Sequence, residues 1–579
     1  MSGRIIIANN WSVARANDIC TGSGTFLDPY VIEDLIIDGG GIGIGIAIGS
    51  KKEYFRIENC TIFNCEIGIK FTWTCNGTLL NNNCSNNDLG IYLDGWTDIL
   101  NPPQEIIDQC YCMNNTIVNN TINNNAQEGI SIRNCDNNTI IGNFINFNYD
   151  GIFLTMHSDN NSIQENYLQK NERLGFYFYQ GSNNIIKRNS MESCGFYSDF
   201  WAFKANEIDE TNLINDGHLY FYANRTNLNE VDFSNAGQIY LENCNHSIIS
   251  NLDLSDGCIS ISLTDCNYIR ILNNNLSSNC FYGINAVNCN NMTIESNFID
   301  DNLNGGIDFS NGVKNKFINN IIRNNGFRAG IRAFGWCNDN LFLNNRFKNN
   351  FEGLSFGLSC TNNCISENSF IGNTLSGITF EGGCEFNSIF SNFFRKNSKH
   401  CAQTVINNFW NNSEIGNYWD NYTGFDLNGD GIGDTPHNIS ISPLIQDFLP
   451  IVDNDSPEIT ILLPSNNSVF GSIAPNFQIK VNERFLQTLF YTLDGGLTNY
   501  TFTENGTIDQ TAWNLLPMGQ VKLRFYAIDK VGNMAYREIL IIKQKEAAIP
   551  GINPLLLLGM TLVYIYISIK IVNKKRKKN

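Results

Sequence analysis

An apolar residue, usually Ile, returns every 20–24 residues along most of this chain: Ile57, Leu80, Ile117, Ile140, Ile163, Ile186, Ile208, Leu228, Ile249, Ile271, Ile294, Ile318, Phe342, Ile365 and Ile389. A period near 22 is the mark of a solenoid, in which each repeat buries its apolar face only against its neighbours. The repeats are rich in Asn, Gly and β-branched residues, which disfavour helix and favour short strands with turns. Within a repeat the apolar residues alternate, as in Gly151-Ile-Phe-Leu-Thr-Met156, Gly306-Ile-Asp-Phe-Ser310 and Gly377-Ile-Thr-Phe-Glu381. Alternation marks a half-buried strand. The pattern predicts a parallel β-helix of about 15 coils, each with about three short strands, stacked about 4.8 Å apart. One interval, Leu80 to Ile117, carries about 14 extra residues and predicts a loop at about 96–111.

Stacking explains two further recurrences. Cys135, Cys244, Cys266, Cys289, Cys337, Cys360 and Cys384 share one place in the repeat, written "NCDNNTI" at 134–140 and "NCNNMTI" at 288–294. That place suits small apolar filler in a narrow interior. Asn143, Asn166, Asn189, Asn297, Asn345, Asn368 and Asn392 follow the apolar mark by three residues. Their amides are expected to stack as hydrogen-bonded ladders, and Asn also tolerates left-handed turns.

These coils, the lead-in "CTGSGTFLDPYVIEDLIIDG" at 20–39 and the closing "GNYWDNYTGFDLNGDGIGDTPHNI" at 416–439 resemble the right-handed parallel β-helix proteins, in particular the NosD-like, or periplasmic copper-binding, branch, over about residues 1–450. The resemblance implies a right-handed coil. The family's name also implies copper, but five His and eight Met in no cluster make copper unlikely here.

The closing stretch holds a chemical motif. Asp426, Asn428, Asp430 and Asp434 stand at positions 1, 3, 5 and 9 of a calcium-type loop, with the Ile432 carbonyl at 7 and Gly431 at the tight turn. Position 12 is His437 rather than Glu, so a weak, structural calcium site is expected. Residues 455–545 then read as short alternating strands and resemble an immunoglobulin-like sandwich of the kind found in bacterial and archaeal surface modules. Leu555 to Val572 is an apolar run long enough to span a bilayer, and Lys574, Lys575, Arg576, Lys577 and Lys578 follow it. We therefore expect a transmembrane helix at 550–572, a cytoplasmic tail at 573–579 and residues 1–545 outside the cell. The "IPGIN" layout resembles archaeal C-terminal sorting tails, which implies processing by a sortase-like enzyme. The start, "MSGRIIIANNWS", lacks the basic and apolar stretch of an export signal.

A net charge of −18 with no basic stripe excludes nucleic acid as a partner. A binding face is read from the strand register. If Ile152 and Leu154 point inward, an outward aromatic track follows: Phe153; Tyr177 and Tyr179; Trp201 and Phe203; Tyr220 and Tyr222; Tyr240. A contiguous exposed aromatic patch is a binding surface. Rings near 5 Å pitch suit a sugar chain or a neighbouring surface-layer protein. Glu242, Asp308, Arg332 and Glu381 lie farther along this face, with Glu242 and Asp308 about 14 Å apart by strand spacing, too far for either glycosidase geometry. The expectation is a membrane-anchored, non-catalytic cell-surface protein that binds polysaccharide or other surface proteins. The alternatives are a polysaccharide lyase, hydrolase or epimerase and, on the family resemblance alone, a copper-handling protein.

Overall fold

The structure, a computed structural model, describes residues 2–96, 112–198, 206–403, 407–441, 443–545, 563 and 570. The chain divides into two units, Met1–Val452 and Asp453–Asn579. Most of the 96–111 loop and of the 550–579 anchor and tail, together with Trp201 and Phe203, lie outside the described residues.

The first unit is a parallel β-helix. Its widest strands share one pattern, seen in Asp150–Thr155: Asp150 faces out, Gly151 and Ile152 both face in, and Phe153, Leu154 and Thr155 then alternate. Gly151 makes the inward kink possible, because a Cβ there would lie 2.3 Å from the Gly175 carbonyl. The inward pair, here Ile152 and Leu154, is buried on coil after coil, from Ile46 and Ile48 to Ile378 and Phe380, apart from the joint. Burying each such side chain contributes about 2 kcal/mol, so the core grows in proportion to the coils stacked.

Two stacks are joined end to end. In the first, an eight-stranded sheet runs from Ile5–Ala8 to Phe196–Ser198, beside another from Tyr30–Glu33 to Glu207–Ile208. The helix Trp11–Ala16 closes its start, with Trp11 stacked on Tyr30 at 4.8 Å. At the joint, Leu213–Ile214 pairs antiparallel with Gly217–Ala223. The reversal passes through Asn215 and Asp216, both at positive φ (51° and 63°), as a two-residue hairpin demands. Among the described residues every other pairing between stacked strands is parallel. The hairpin passes the third face of the first stack into the wide face of the second, which yields one 13-stranded sheet from Phe144–Asn146 to Cys401–Gln403. A seven-stranded and a six-stranded sheet complete the second stack.

Each stack has its own apolar core. The strand Gly217–Ala223 lies between them: Leu219 and Phe221 pack on the first core, Tyr220 and Tyr222 on the second. Gln238 plugs the open edge of the first stack. Its side chain accepts from the Phe196 N–H at 3.0 Å and donates to the Phe196 carbonyl at 2.7 Å, standing in for a missing strand.

The Asn ladders run through both stacks. Asn143 accepts from the backbone N–H and the side-chain amide of Asn120, then donates to the Ile117 carbonyl and to Asn166. The same pattern carries through Asn189 to Asn212, and again from Asn274 through Asn297, Asn345, Asn368 and Asn392 to Asn417. Asp447 ends the second ladder, accepting from Asn417 N–H at 2.6 Å and Trp419 Nε1 at 2.9 Å. The seven recurrent cysteines are all buried, and the sulfurs of Cys266, Cys289 and Cys384 each accept a backbone N–H from the preceding coil. At two marks the inward residue is the one before that expected: Leu79 rather than Leu80, and Phe317 rather than Ile318. Both pairs are apolar, so pattern alone did not separate them.

The second unit is described by itself. A three-stranded sheet (Glu458–Leu463, Asn476–Asn482, Gly506–Thr507) and a five-stranded sheet led by Gly519–Asp529 and Met534–Lys543 enclose a core that includes Trp513, Leu523 and Phe525.

Candidate functional site

The outward side of the wide sheet in the first stack carries a strip of polar and aromatic residues. One row reads Ala47, Lys70, Tyr92, Ser131, Phe153, Tyr177, Tyr197 on consecutive coils. The next reads Thr72, Asp94, Arg133, Thr155 and then Tyr179. Lys70 bridges Asp94 at 3.2 Å and lies 4.9 Å from the Tyr92 ring, while Arg133 lies 5.3 Å from the Trp96 ring. At the N-terminal end the same face opens into a groove of about 310 Å³ lined by Ile6, Ala47, Lys51, Thr72 and Trp73 among others.

Phe153, Tyr177 and Tyr197 form an unbroken aromatic ladder, with ring centroids 4.6 and 5.5 Å apart and planes within 17°. The rings therefore do not lie flat on the sheet. In-register strands bring equivalent side chains to stacking distance, so each ring covers its neighbour's face. Tyr179 joins the ladder 6.5 Å from Tyr177 and accepts a hydrogen bond from Gln180 at 3.1 Å.

The remainder of the expected track must be corrected. Tyr220, Tyr222 and Tyr240 do not face outward in a row with Phe153. Tyr240 is 2 % exposed; it donates to the Phe196 carbonyl at 2.7 Å and caps the first core. Tyr220 is buried with the second core, 5.9 Å from Phe233, and Tyr222 packs there with Arg225 3.9 Å over its ring. Past the hairpin Tyr220 and Tyr222 pair with Ile239 and Leu241 in the inward row of the second stack, and Tyr240, which pairs with Phe221 in the outward row, is covered by the first core. Tyr197, missed from the sequence, is the true third rung. Its coil is short, and the wide strand begins after Cys194-Gly195, where "CGFYS" follows the Gly-apolar pattern of the earlier coils.

Past Tyr197 the two stacks meet at an inner corner. Leu174 of the first stack is buried against Cys258, Ile259 and Tyr282 of the second, with Tyr177, Tyr197 and Phe281 packed around them. Charged groups rim this corner. Asp150 is sealed under Arg173, whose Nε donates to it at 3.0 Å. Glu128 is one coil away in the same row, and burial, then the Asp150 charge, pushes its carboxyl up. Across the corner Arg332 bonds Asp308 at 3.1 Å. Burial, with Asp308 beside it, pushes the Tyr282 phenol well up.

The loop of Asp426, Asn428, Asp430, Ile432 and Asp434 winds around its own carboxylates. Asp426 accepts from Gly429 and Gly431 N–H at 2.7 and 2.8 Å, Asp430 from Ile432 N–H at 2.9 Å, and Asp434 from Leu427 N–H at 2.8 Å. Gly431 has φ +83°, as the tight turn requires. Among the described residues no three His, Cys, Asp or Glu side chains gather as a metal-binding group. The all-oxygen set suits a hard cation rather than copper. His437 stands apart from the loop, stacked on Trp419 at 4.8 Å.

Residues 44–207 match the family model described as periplasmic copper-binding protein (NosD), and 198–347 and 260–419 match that of the right handed beta helix region. No curated protein matches the chain. Among solved structures, the Azotobacter vinelandii mannuronan C-5 epimerase AlgE6 A-module is similar at 11% identity over 66% of this chain and 87% of its own, with a TM-score of 0.23. A GH87 alpha-1,3-glucanase catalytic domain is similar at 12% identity over 67% and 65%, TM-score 0.21. Tailspike protein 2 of Escherichia coli O157:H7 bacteriophage CAB120 is similar at 10% over 90% and 65%, TM-score 0.19. None of these likenesses bears on substrate. The two family models, with the coil geometry, support a right-handed β-helix over residues 44–419, with the NosD-like match confined to residues 44–207.

Proposed function

We propose that this chain is a membrane-anchored cell-surface protein that binds polysaccharide, without cleaving it, along the outward strip of its first stack. The observation that carries the reading is the unbroken row from Lys70 to Tyr197, with Arg133 and Tyr179 beside it. The coils that carry Lys70, Tyr92, Phe153, Tyr177 and Tyr197 repeat at about 4.8 Å, a pitch close to that of sugars in a chain. Aromatic edges exclude water between them. A neighbouring surface protein is the other partner this face could take. The apolar run and basic tail at 555–578 supply the anchor and leave residues 1–545 outside, with 453–545 as an immunoglobulin-like stalk. The Asp426–Asp434 loop is proposed to hold calcium and to brace the end of the coil.

The enzymatic alternative has one observation in its favour. Glu128 and Asp150 lie on adjacent coils, a separation near that of retaining glycosidase carboxylates. Yet the Asp150 side chain is only 1% exposed beneath Arg173, which leaves no approach to a sugar carbon. Binding is favoured for that reason.

Immobilised polysaccharides, neutral and acidic, test both readings with the purified chain. Tyr177→Phe and Tyr197→Phe should each weaken retention about fivefold, the value of one hydrogen bond, and together about 25-fold. Retention untouched by either change would remove the strip from the reading. Release of shortened chains, lost in Glu128→Gln, would replace binding by catalysis. For the loop, about 1 mM calcium should raise the melting midpoint by about 2–4 °C in the parent and not in Asp430→Ala. Equal shifts in both would argue against the loop as the site.

A further inference from the structure

The six-stranded sheet of the second stack carries a charge arrangement that the polysaccharide strip does not use. Its successive strands are Phe298–Asp300, Ile321–Arg323, Arg346–Lys348, Ser369–Ile371, Phe393–Arg395 and Tyr418–Trp419. The middle residues Ile299, Ile322, Phe347, Phe370 and Phe394 are fully buried; of the residues flanking them Arg346, Lys348 and Arg395 are half-buried, while Ser369 and Phe393 are covered. Register then sets Asp300, Arg323, Lys348, Ile371 and Arg395 in one row, with Arg346 in the row beside it between Ile321 and Ser369.

Four cations thus fall on three strands, within a run of four consecutive strands, on a chain whose net charge is −18. The acids stand at its margins and are engaged. Asp300 accepts from Arg323 at 2.8 and 2.9 Å. Asp420, just past Trp419, is held by His400 at 2.8 Å and by the Lys396 N–H at 2.6 Å. Glu367 sits in the turn leading into Ser369. Arg346 and Lys348 have no ion pair among the described residues, and the Nε of Arg346 is buried with no hydrogen-bond partner. Like charges on neighbouring strands repel, and a buried guanidinium nitrogen without an acceptor is costly. Burial, and then Arg323 and Arg395, lower the Arg346 pKa. Arg346 and Lys348 are at ease only with an anion over them.

We propose that this face is an oxyanion site, in which Arg346 and Lys348 receive a sulfate or phosphate group. A guanidinium fork and an ammonium two residues apart on one strand match the several acceptor oxygens of such a group. The group arrives either as the free inorganic ion or as an ester on a polymer.

Titration calorimetry of the whole chain with inorganic phosphate and sulfate, and with dextran sulfate against plain dextran, tests this at low ionic strength. The parent should bind at least one of the oxyanion probes at least about tenfold more tightly than either Arg346→Gln or Lys348→Gln. Lys348 is half-buried at the surface, so its variant keeps the test valid even where the Arg346 variant is poorly folded. Without anion, Arg346→Gln should melt at or above the parent midpoint, because it removes an uncompensated charge. Tighter binding of dextran sulfate than of the inorganic ions assigns a polymer-borne ester; equal binding assigns the free ion. Equal affinity in parent and variants, or no oxyanion-specific heat in the parent, overturns the site. Neither result touches the strip of the first stack, whose test uses different residues.

Discussion

Replacing Asn345 by Ala should cost about 4 kcal/mol, one of the two largest effects expected of a single substitution in this chain. Asn345 accepts from the N–H and amide of Asn320 at 3.0 and 2.9 Å and donates to the Phe317 carbonyl at 2.8 Å and to Asn368 at 3.0 Å. It is 1% exposed, so no water can replace it. Truncation strands the Asn320 N–H and the Phe317 carbonyl, each at about 1–3 kcal/mol, and leaves a cavity. The exposed Asn349 is the control. It sits at φ 55° in a turn, and Asn349→Gly should change stability by less than about 1 kcal/mol. Guanidinium unfolding of both variants measures the contrast, and a cost for Asn345→Ala no larger than the control's would mean that the ladders do not hold the coils together.

The second large effect is a pH response that the parent conceals. Burial pushes the Asp447 carboxyl up to about 6 from 3.8, against four hydrogen bonds that favour its charged form. The folded state then binds this proton more tightly than the unfolded chain does. Asp447 therefore costs stability above about pH 6, up to about 3 kcal/mol, and the cost is relieved as pH falls toward about 4. His437 does the reverse. Burial, then the nearby His400, pull it down to about 4 from 6.5. Its stabilising effect is present above about pH 6.5 and is lost as pH falls through about 4, worth about 2 kcal/mol once partial solvent contact is discounted. His400, lowered by burial, adds to the same side. The two windows overlap and oppose. Relative to the parent, His437→Gln should gain about 2 kcal/mol between about pH 7 and 4, and Asp447→Asn should lose about 2–3 kcal/mol over the same range. Parallel stability curves for the parent and both variants would show that neither group titrates across that window.

The coil was legible because its signal is repeated. A single Asn three residues after an apolar residue means little, whereas Asn143, Asn166 and Asn189 at one spacing predict a ladder, and the structure builds it. The cysteines were legible on the same ground. What escaped was whatever breaks the repeat. The alternation that set Phe153 and Tyr177 outward was carried past the joint to Tyr220, Tyr222 and Tyr240, where the reversal places Tyr220 and Tyr222 in the inward row of the second stack and the first core covers Tyr240. Tyr197 and the Glu128–Asp150 pair were missed because neither lies on a recognisable motif. They become neighbours only when strands are aligned coil by coil. The flat aromatic platform failed for a physical reason: a pitch of about 4.8 Å satisfies ring faces by mutual stacking.

The hairpin at Asn215 and Asp216 has a bearing on how such a chain can change over generations. Inside either stack, one coil can be gained or lost by tandem duplication, since every ladder and core row simply gains or loses a member. At the joint the Asn rows end at Asn212 and resume at Asn274, and Gln238, Leu219 and Tyr240 fit one particular last coil. A duplication there would find no partner on either side. The two stacks are thus free to vary in length independently, while the stretch from Cys194 to about Thr264 stays fixed in size and leaves the strip of the first stack and the face of the second on either side of it as separately adjustable modules.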